Sequence, residues 1–138
     1  MDTELKNKSV LITASSLGIG KAIAEAFALE GCKVAISSRS KDNLLSTAKD
    51  VKIKSGFDPF WSVCDLNKTK DIENTFKAAV YQFGSVDILI NNCGGPVTGM
   101  FQELDEKDWD NAYDQVLMSA VRLSKLVLPD MMRNHWGR

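Results

Sequence analysis

Thr13-Ala14-Ser15-Ser16-Leu17-Gly18-Ile19-Gly20 decides how this sequence folds. Ahead of it runs Ser9-Val10-Leu11-Ile12-Thr13, a short apolar stretch of the kind that forms a buried strand. Behind it, Gly18 to Glu30 has helical periodicity. Ile19, Ile23 and Phe27, with Ala22 and Ala26, are expected on one face, and Gly31 stands where helices end. A helix start presents unpaired N–H groups and partial positive charge, which suits a phosphate. In this reading Gly18 lets backbone approach a pyrophosphate, and Gly20 lets the helix pack closely on the strand. Ser15 and Ser16 are expected to cap the helix and to donate to phosphate oxygens. An ordinary capped turn would read much the same. The strand before and the helix after are what favour phosphate binding.

Working outward, the alternation continues. Lys33–Ser37, Phe60–Cys64 and Val86–Ile90 read as strands. Lys41–Lys54, Lys68–Phe83 and a long stretch from Asp105 to about Met132 read as helices. The face of the third helix carries Ile72, Phe76, Ala79, Val80 and Phe83. Strand and helix in strict turn imply βαβ units and a parallel sheet covered on both faces. The expected fold is therefore α/β, a Rossmann-type doubly wound sheet with strand order 3-2-1-4. Residues 1–138 read as the amino-terminal portion of a single such domain, truncated after the fourth strand and its helix.

Composition excludes several classes. Hydrophobic residues make up 44% and charged residues 25%, a balance that folds rather than remaining disordered. A net charge of -1, with bases scattered among acids, gives no footprint for nucleic acid. No apolar run reaches the length of a membrane span. Met1 to Lys6 has no apolar leader core, and Cys32, Cys64 and Cys93 show no metal or redox spacing. A cytoplasmic protein with reduced thiols is expected.

Three motifs together carry a resemblance. The first turn is similar to the Thr-Gly-x-x-x-Gly-x-Gly motif of short-chain dehydrogenases/reductases, with Ala14 in place of the first glycine. Alanine there suggests a negative φ. Asn91-Asn92-Cys93-Gly94 resembles the family's Asn-Asn-Ala-Gly, and Asp65-Leu66 follows the third strand as in the family. The resemblance covers essentially the whole chain but only about the first half of a family member. The nearest sub-type is 3-oxoacyl-carrier-protein-reductase-like, and a sugar or small-alcohol dehydrogenase is nearly as close.

What the resemblance implies is an oxidoreductase that binds NADP(H) and reduces a carbonyl or oxidises a secondary alcohol. Thr13, Ser15, Ser16, Leu17, Gly18, Ile19 and Gly20 would hold the pyrophosphate. Ser38 and Arg39 close the second strand, where no carboxylate stands to hold ribose hydroxyls, and a guanidinium grips a 2′-phosphate with two parallel bonds. Arg39 would equally suit a solvated loop. Asp65 and Leu66 would line the adenine pocket, although Asp65 also suits an Asx-turn before the third helix. Asn91 would reach the nucleoside ribose.

The family's general acid/base is a tyrosine with a lysine four residues later, since a cation must lower the phenol's pKa. Tyr81 is followed at that distance by Ser85 and Tyr113 by Leu117, so no catalytic residue is assigned, and these 138 residues alone are expected to be inactive. The family's usual asparagine in the long helix falls at Val116, and Gln115 is the nearest amide. That helix has apolar residues over a wide face, Val116, Leu117, Ala120, Val121, Leu123, Val127, Leu128 and Met131, and the resemblance implies that it packs against a second subunit. The expected partners are thus a small carbonyl or alcohol substrate and a second copy of the chain. A non-catalytic nucleotide-binding module or a self-associating fragment is the alternative. His135, the sole histidine, reads as a surface or capping residue, and Trp61, Trp109 and Trp136 as packing residues.

Overall fold

The computed structural model describes residues 3–138; Met1 and Asp2, part of the stretch read for a leader, lie outside the described residues. Strands β1 (Ser9–Ile12), β2 (Lys33–Ser38), β3 (Phe60–Val63) and β4 (Ile88–Ile90) form one parallel sheet in the order β3-β2-β1-β4. Between them run α1 (Gly18–Leu29), α2 (Lys41–Ser55) and α3 (Thr69–Phe83). The α/β class and the strand order follow the alternation in the sequence.

Because side chains alternate along a strand, each central strand feeds two cores. Val10 and Ile12 join Val34, Ile36 and Ile88 on the face covered by α1 and α2, through Ala24, Ala28, Leu44 and Val51. Leu11 and Ala35 point the other way, against Ile72 and Ala79 of α3 and Leu123 and Val127 further on. Ile12 and Ile36 are fully buried, as is Leu11 across the sheet. Ser9 fixes the register at the lower end: its N–H donates to the Asp87 carboxylate at 2.9 Å, and its hydroxyl accepts from Asp87 N at 3.0 Å.

Helix α1 departs from the expected face. Gly20, Ala24 and Ala28 are its buried residues, while Ala22 and Ala26 are exposed and Ile23 and Phe27 pack at the margin. Small residues at i, i+4 and i+8 let the helix axis come close to the sheet, which large residues at the same positions would prevent. Helix α2 is capped by Ser40, whose side chain accepts from Asn43 N at 3.3 Å. Asp42 in its first turn and Lys52 and Lys54 in its last complement the helix dipole. Lys21 of α1 is ion-paired with Asp50 of α2, and the hydrogen bond from Lys21 holds the Asp50 carboxyl below its ordinary range.

The expected long helix is three pieces. A capping box pairs Asp105 with Asp108 and starts α4 (Glu106–Ala112). A π turn (Tyr113–Met118) follows, and then α5 (Ser119–Arg133). The interruption has a cause in hydrogen bonding: Ser119 N donates five residues back to Asp114 O, and the freed Gln115 carbonyl takes the Ser119 hydroxyl at 2.6 Å. No periodicity count reveals one inserted residue in a helix. Trp109 is also not a core residue; it lies half exposed against Phe101, with ring centroids 6.2 Å apart. Trp61 and Trp136 do pack against the α1/α2-side core. His135 is exposed with φ 51°.

On the outer side of β4 the backbone of Arg138 makes two bonds, donating to Asp87 O at 3.1 Å and accepting from Leu89 N at 3.0 Å. That alternation is the pattern of a parallel ladder. Among the described residues no helix is long and apolar enough to cross a membrane.

Ile36→Ala is expected to lower unfolding free energy by about 2–5 kcal/mol, since it empties a fully buried site in a central strand. Urea denaturation of the two proteins measures the difference.

Candidate functional site

A cleft of about 410 Å³ opens at the carboxyl ends of the strands. This is the switch point of the sheet: β1 leads on one side to β2 and on the other to β4, and ligands of open α/β sheets bind there. Its floor is the β1–α1 turn. Ser16, Leu17, Gly18, Ile19 and Gly20 line it, with Ser38 and Arg39 from the end of β2 and Asp65 and Leu66 after β3.

The turn takes its shape from hydrogen bonds to the strands on both sides. Toward β4, the Thr13 hydroxyl donates to Asn92 O at 2.6 Å and accepts from Asn92 N at 3.0 Å. The Asn92 amide donates in return to Thr13 O at 3.2 Å and Ala14 O at 3.0 Å. Toward β2, Ser15 N donates to Ser37 O at 2.9 Å and Ser37 N donates to Ser15 Oγ at 3.0 Å, while Ser15 Oγ donates back to Ile12 O of β1 at 2.7 Å. From α2, Thr47 Oγ1 donates to Ser16 O at 2.7 Å.

These bonds revise the reading of Ser15. It is fully buried and stitches the turn to β2, so it neither caps α1 nor lines the cleft. The residue at the α1 N-cap is Leu17, with no side-chain cap bond. The first-turn N–H groups of α1 therefore have no side chain across them. Ser16 lines the cleft beside them.

Ala14 is the second revision. Its φ is +46°, in the left-handed region, where a negative value was expected. That conformation presents Ala14 O to Asn92 Nδ2. Gly18 has φ +55° with open space where a Cβ would stand, so nothing there obstructs an approaching group. Gly20 is the reverse case: a Cβ would lie 2.5 Å from Ala14 O and 2.8 Å from Asn92 Nδ2. The close packing expected of Gly20 is a contact between helix and turn.

Arg39 is exposed, and among the described residues no ion pair to it is found. Asp65 forms the Asx-turn, accepting from Asn67 N at 3.1 Å, and still lines the cleft. Asn91, expected at the ribose, is exposed and its amide reaches Ser124 Oγ at 3.4 Å, while its neighbour Asn92 lines the cleft. Thr13, Ser15 and Asn91 thus support the site from outside its lining.

Sequence reasoning assigned no site role to Ser40, Asn43, Cys64 and Cys93, and noted Gln115 only as the amide nearest Val116; all of them line the cleft. Ser40 and Asn43 had a signal, since a cap residue directly after Arg39 brings the first turn of α2 alongside. Gln115 had none beyond being an amide, because its direction depends on the π turn. Burial pushes the Cys64 thiol above its ordinary pKa, which leaves it a weak nucleophile at neutral pH. Among the described residues no cluster of His, Cys, Asp and Glu is placed to hold a metal.

A family model, described as short chain dehydrogenase, matches residues 8–138. The chain belongs to the short chain dehydrogenase family. Its relatives include "Uncharacterized oxidoreductase YvrD" of Bacillus subtilis, 37% identical over all of this chain and 51% of that protein. They also include the 3-oxoacyl-[acyl-carrier-protein] reductase FabG of Staphylococcus epidermidis, 35% identical over 95% of this chain and 54% of that protein. Among solved structures, L-sorbose reductase from Gluconobacter frateurii, complexed with NADPH and L-sorbose, superposes with a TM-score of 0.91 at 32% identity. That match covers 97% of this chain and 51% of the reductase. Actinorhodin polyketide ketoreductase with NADPH gives a TM-score of 0.89 at 30% identity, over 96% of this chain and 51% of that one. The chain spans about half the length of the relatives it matches.

Ala14→Gly is expected to raise stability by about 0.5–1 kcal/mol. A left-handed alanine costs ~1–2 kcal/mol, and the extra unfolded-state freedom of glycine offsets about half. Thermal and chemical denaturation of the variant give the sign.

Proposed function

We infer that the cleft binds NADP(H), and that the protein to which these residues belong is an oxidoreductase acting on a carbonyl or a secondary alcohol. The observation that carries this reading is the pairing of an open helix start with Arg39 directly after β2, an exposed arginine with no ion pair among the described residues. The residues fit a dinucleotide. The first-turn N–H groups of α1 and the Ser16 hydroxyl suit the pyrophosphate, and the left-handed Gly18 leaves room for it. Arg39, with Ser38 and the cap residue Ser40 beside it, suits a 2′-phosphate, and no carboxylate at the β2 end competes for it. Asp65 and Leu66 form the wall where an adenine would rest. NADPH in the two structural neighbours supports the choice of nucleotide.

When bound, the nicotinamide supplies the hydride. The residues of this chain hold the nucleotide, orient it across the switch point and neutralise its phosphates. They do not supply the proton: Tyr81 is almost fully exposed, Tyr113 is half exposed, and neither lines the cleft. In our reading the 138 residues bind nucleotide and turn nothing over.

The exposed strip Tyr113, Val116, Leu117 and Leu128 suits a second copy of the chain, in keeping with the wide apolar face of this region. Leu117→Lys is expected to lower the oligomer's mass in light scattering; an unchanged mass would remove this strip as an interface.

Titration with NADPH and NADH, followed by nucleotide fluorescence, tests the main reading. Arg39→Ala is expected to weaken NADPH binding by roughly 10- to 100-fold, as loss of charge-assisted hydrogen bonds does, and to leave NADH nearly unchanged. Equal loss for both nucleotides would overturn the 2′-phosphate role.

A further inference from the structure

Residues 93–99, between the end of β4 and the short helical turn at Phe101–Glu103, have no regular secondary structure, and Cys93 and Gly94 line the cleft. These two residues follow β4, on the other side of β1 from Arg39 and Asp65, which follow β2 and β3. Among the described residues one hydrogen bond ties 93–99 to the rest of the molecule: Gln115 Nε2 donates to Gly95 O at 2.9 Å. Twenty residues separate the partners. Gly95 itself has φ +79°, so its carbonyl direction is set by a conformation that only glycine adopts at low cost.

Gln115 is aimed by the π turn. In an unbroken α-helix Ser119 N would bond to Gln115 O. Here it bonds to Asp114 O, and the buried Ser119 hydroxyl accepts the role of donor to Gln115 O at 2.6 Å. The added residue in the turn rotates what precedes it by roughly 100° relative to α5, the angle per residue of a helix with 3.6 residues per turn. Gln115 consequently lines the cleft while its neighbour Val116 is turned out to solvent, 46% exposed. An Arg122–Asp114 ion pair at 3.0 Å bridges the π turn and α5.

We propose that Gln115 is a positioning residue for nucleotide binding: its amide holds the 93–99 segment against the cleft, and the π turn keyed by Ser119 is the device that points it there. This rests on the reading of the cleft as a dinucleotide site. The segment carries no charge between Cys93 and Met100, so it contributes shape and backbone groups, and those act only if the segment is held. A single neutral hydrogen bond is worth about 0.5–1.5 kcal/mol, enough to change affinity by a few-fold to roughly tenfold.

The experiment uses the purified protein with NADPH as the probe. Hydrogen exchange of the nucleotide-free protein reports whether the segment is held, and NADPH titration reports whether holding it matters. Gln115→Ala and Gln115→Glu, the second removing the donor at constant length, are expected to speed exchange in 94–99 while leaving the Thr13–Gly20 turn unchanged. Both are expected to raise the NADPH dissociation constant by about three- to tenfold. Gln115→Lys, which keeps a donor of similar reach, is expected to slow exchange in 94–99 back toward the wild-type rate. Ser119→Ala leaves the Gln115 side chain intact but frees its carbonyl, and is expected to reproduce part of the effect. Unchanged exchange in Gln115→Ala, or faster exchange with unchanged NADPH affinity, would overturn this proposal alone. A wild-type protein that binds no NADPH would overturn the reading of the cleft and this inference with it.

Discussion

Everything about this site depends on the β1–α1 turn being tied to both neighbouring strands. Thr13 and Asn92 exchange hydrogen bonds on one side, and Ser15 and Ser37 do so on the other. In a parallel sheet the central strand ends between two partners that diverge into different crossovers, and its last carbonyls and amides lose their ladder partners. Here side-chain hydroxyls and an amide replace those partners. The clasp holds Ala14 in the left-handed region and brings its carbonyl to Asn92. Gly20 can then pass within contact distance of that carbonyl, which fixes where α1 starts.

The sheet supplies the rigidity this arrangement needs. Two cores meet at β1, one with α1 and α2 and one with α3 and α5, so displacement of the strand would open both. The thin α1 face, Gly20, Ala24 and Ala28, brings the helix close to the strand. Close approach is a packing requirement with a functional result: it sets the first-turn amides of α1 at the floor of the cleft rather than above it.

Much of this was legible in the residues. Alternating apolar strands and helices gave the parallel sheet and its order, because each period reflects a local geometry that burial on both faces reinforces. Ser16, Leu17, Gly18, Ile19, Gly20, Ser38, Arg39, Asp65 and Leu66, all singled out in the sequence, line one cleft, since they sit at strand ends that the topology brings to one edge. Ser15 and Asn91 did not follow, for a common reason. Adjacent residues at a strand end point in opposite directions, and which of two serines or two asparagines faces inward depends on hydrogen bonds across 22 or more positions. Ala14 shows the same limit: propensity argued for negative φ, and tertiary bonding overrode it. The π turn is a shift of one residue that leaves no trace in apolar spacing, so Gln115 was legible as an amide but not the direction in which it points.

The floor of the cleft is a turn whose two large side chains stand out to solvent. Leu17 is 62% exposed and Ile19 75%, although both contribute to the lining. The atoms that would meet a phosphate are amides whose positions come from Thr13, Ser15, Gly20 and Asn92. Structural duty and chemical exposure have therefore been assigned to different residues of one octapeptide. Substitutions at Leu17 and Ile19 are therefore expected to reshape the rim of the cleft while leaving the hydrogen bonds that hold the turn in place.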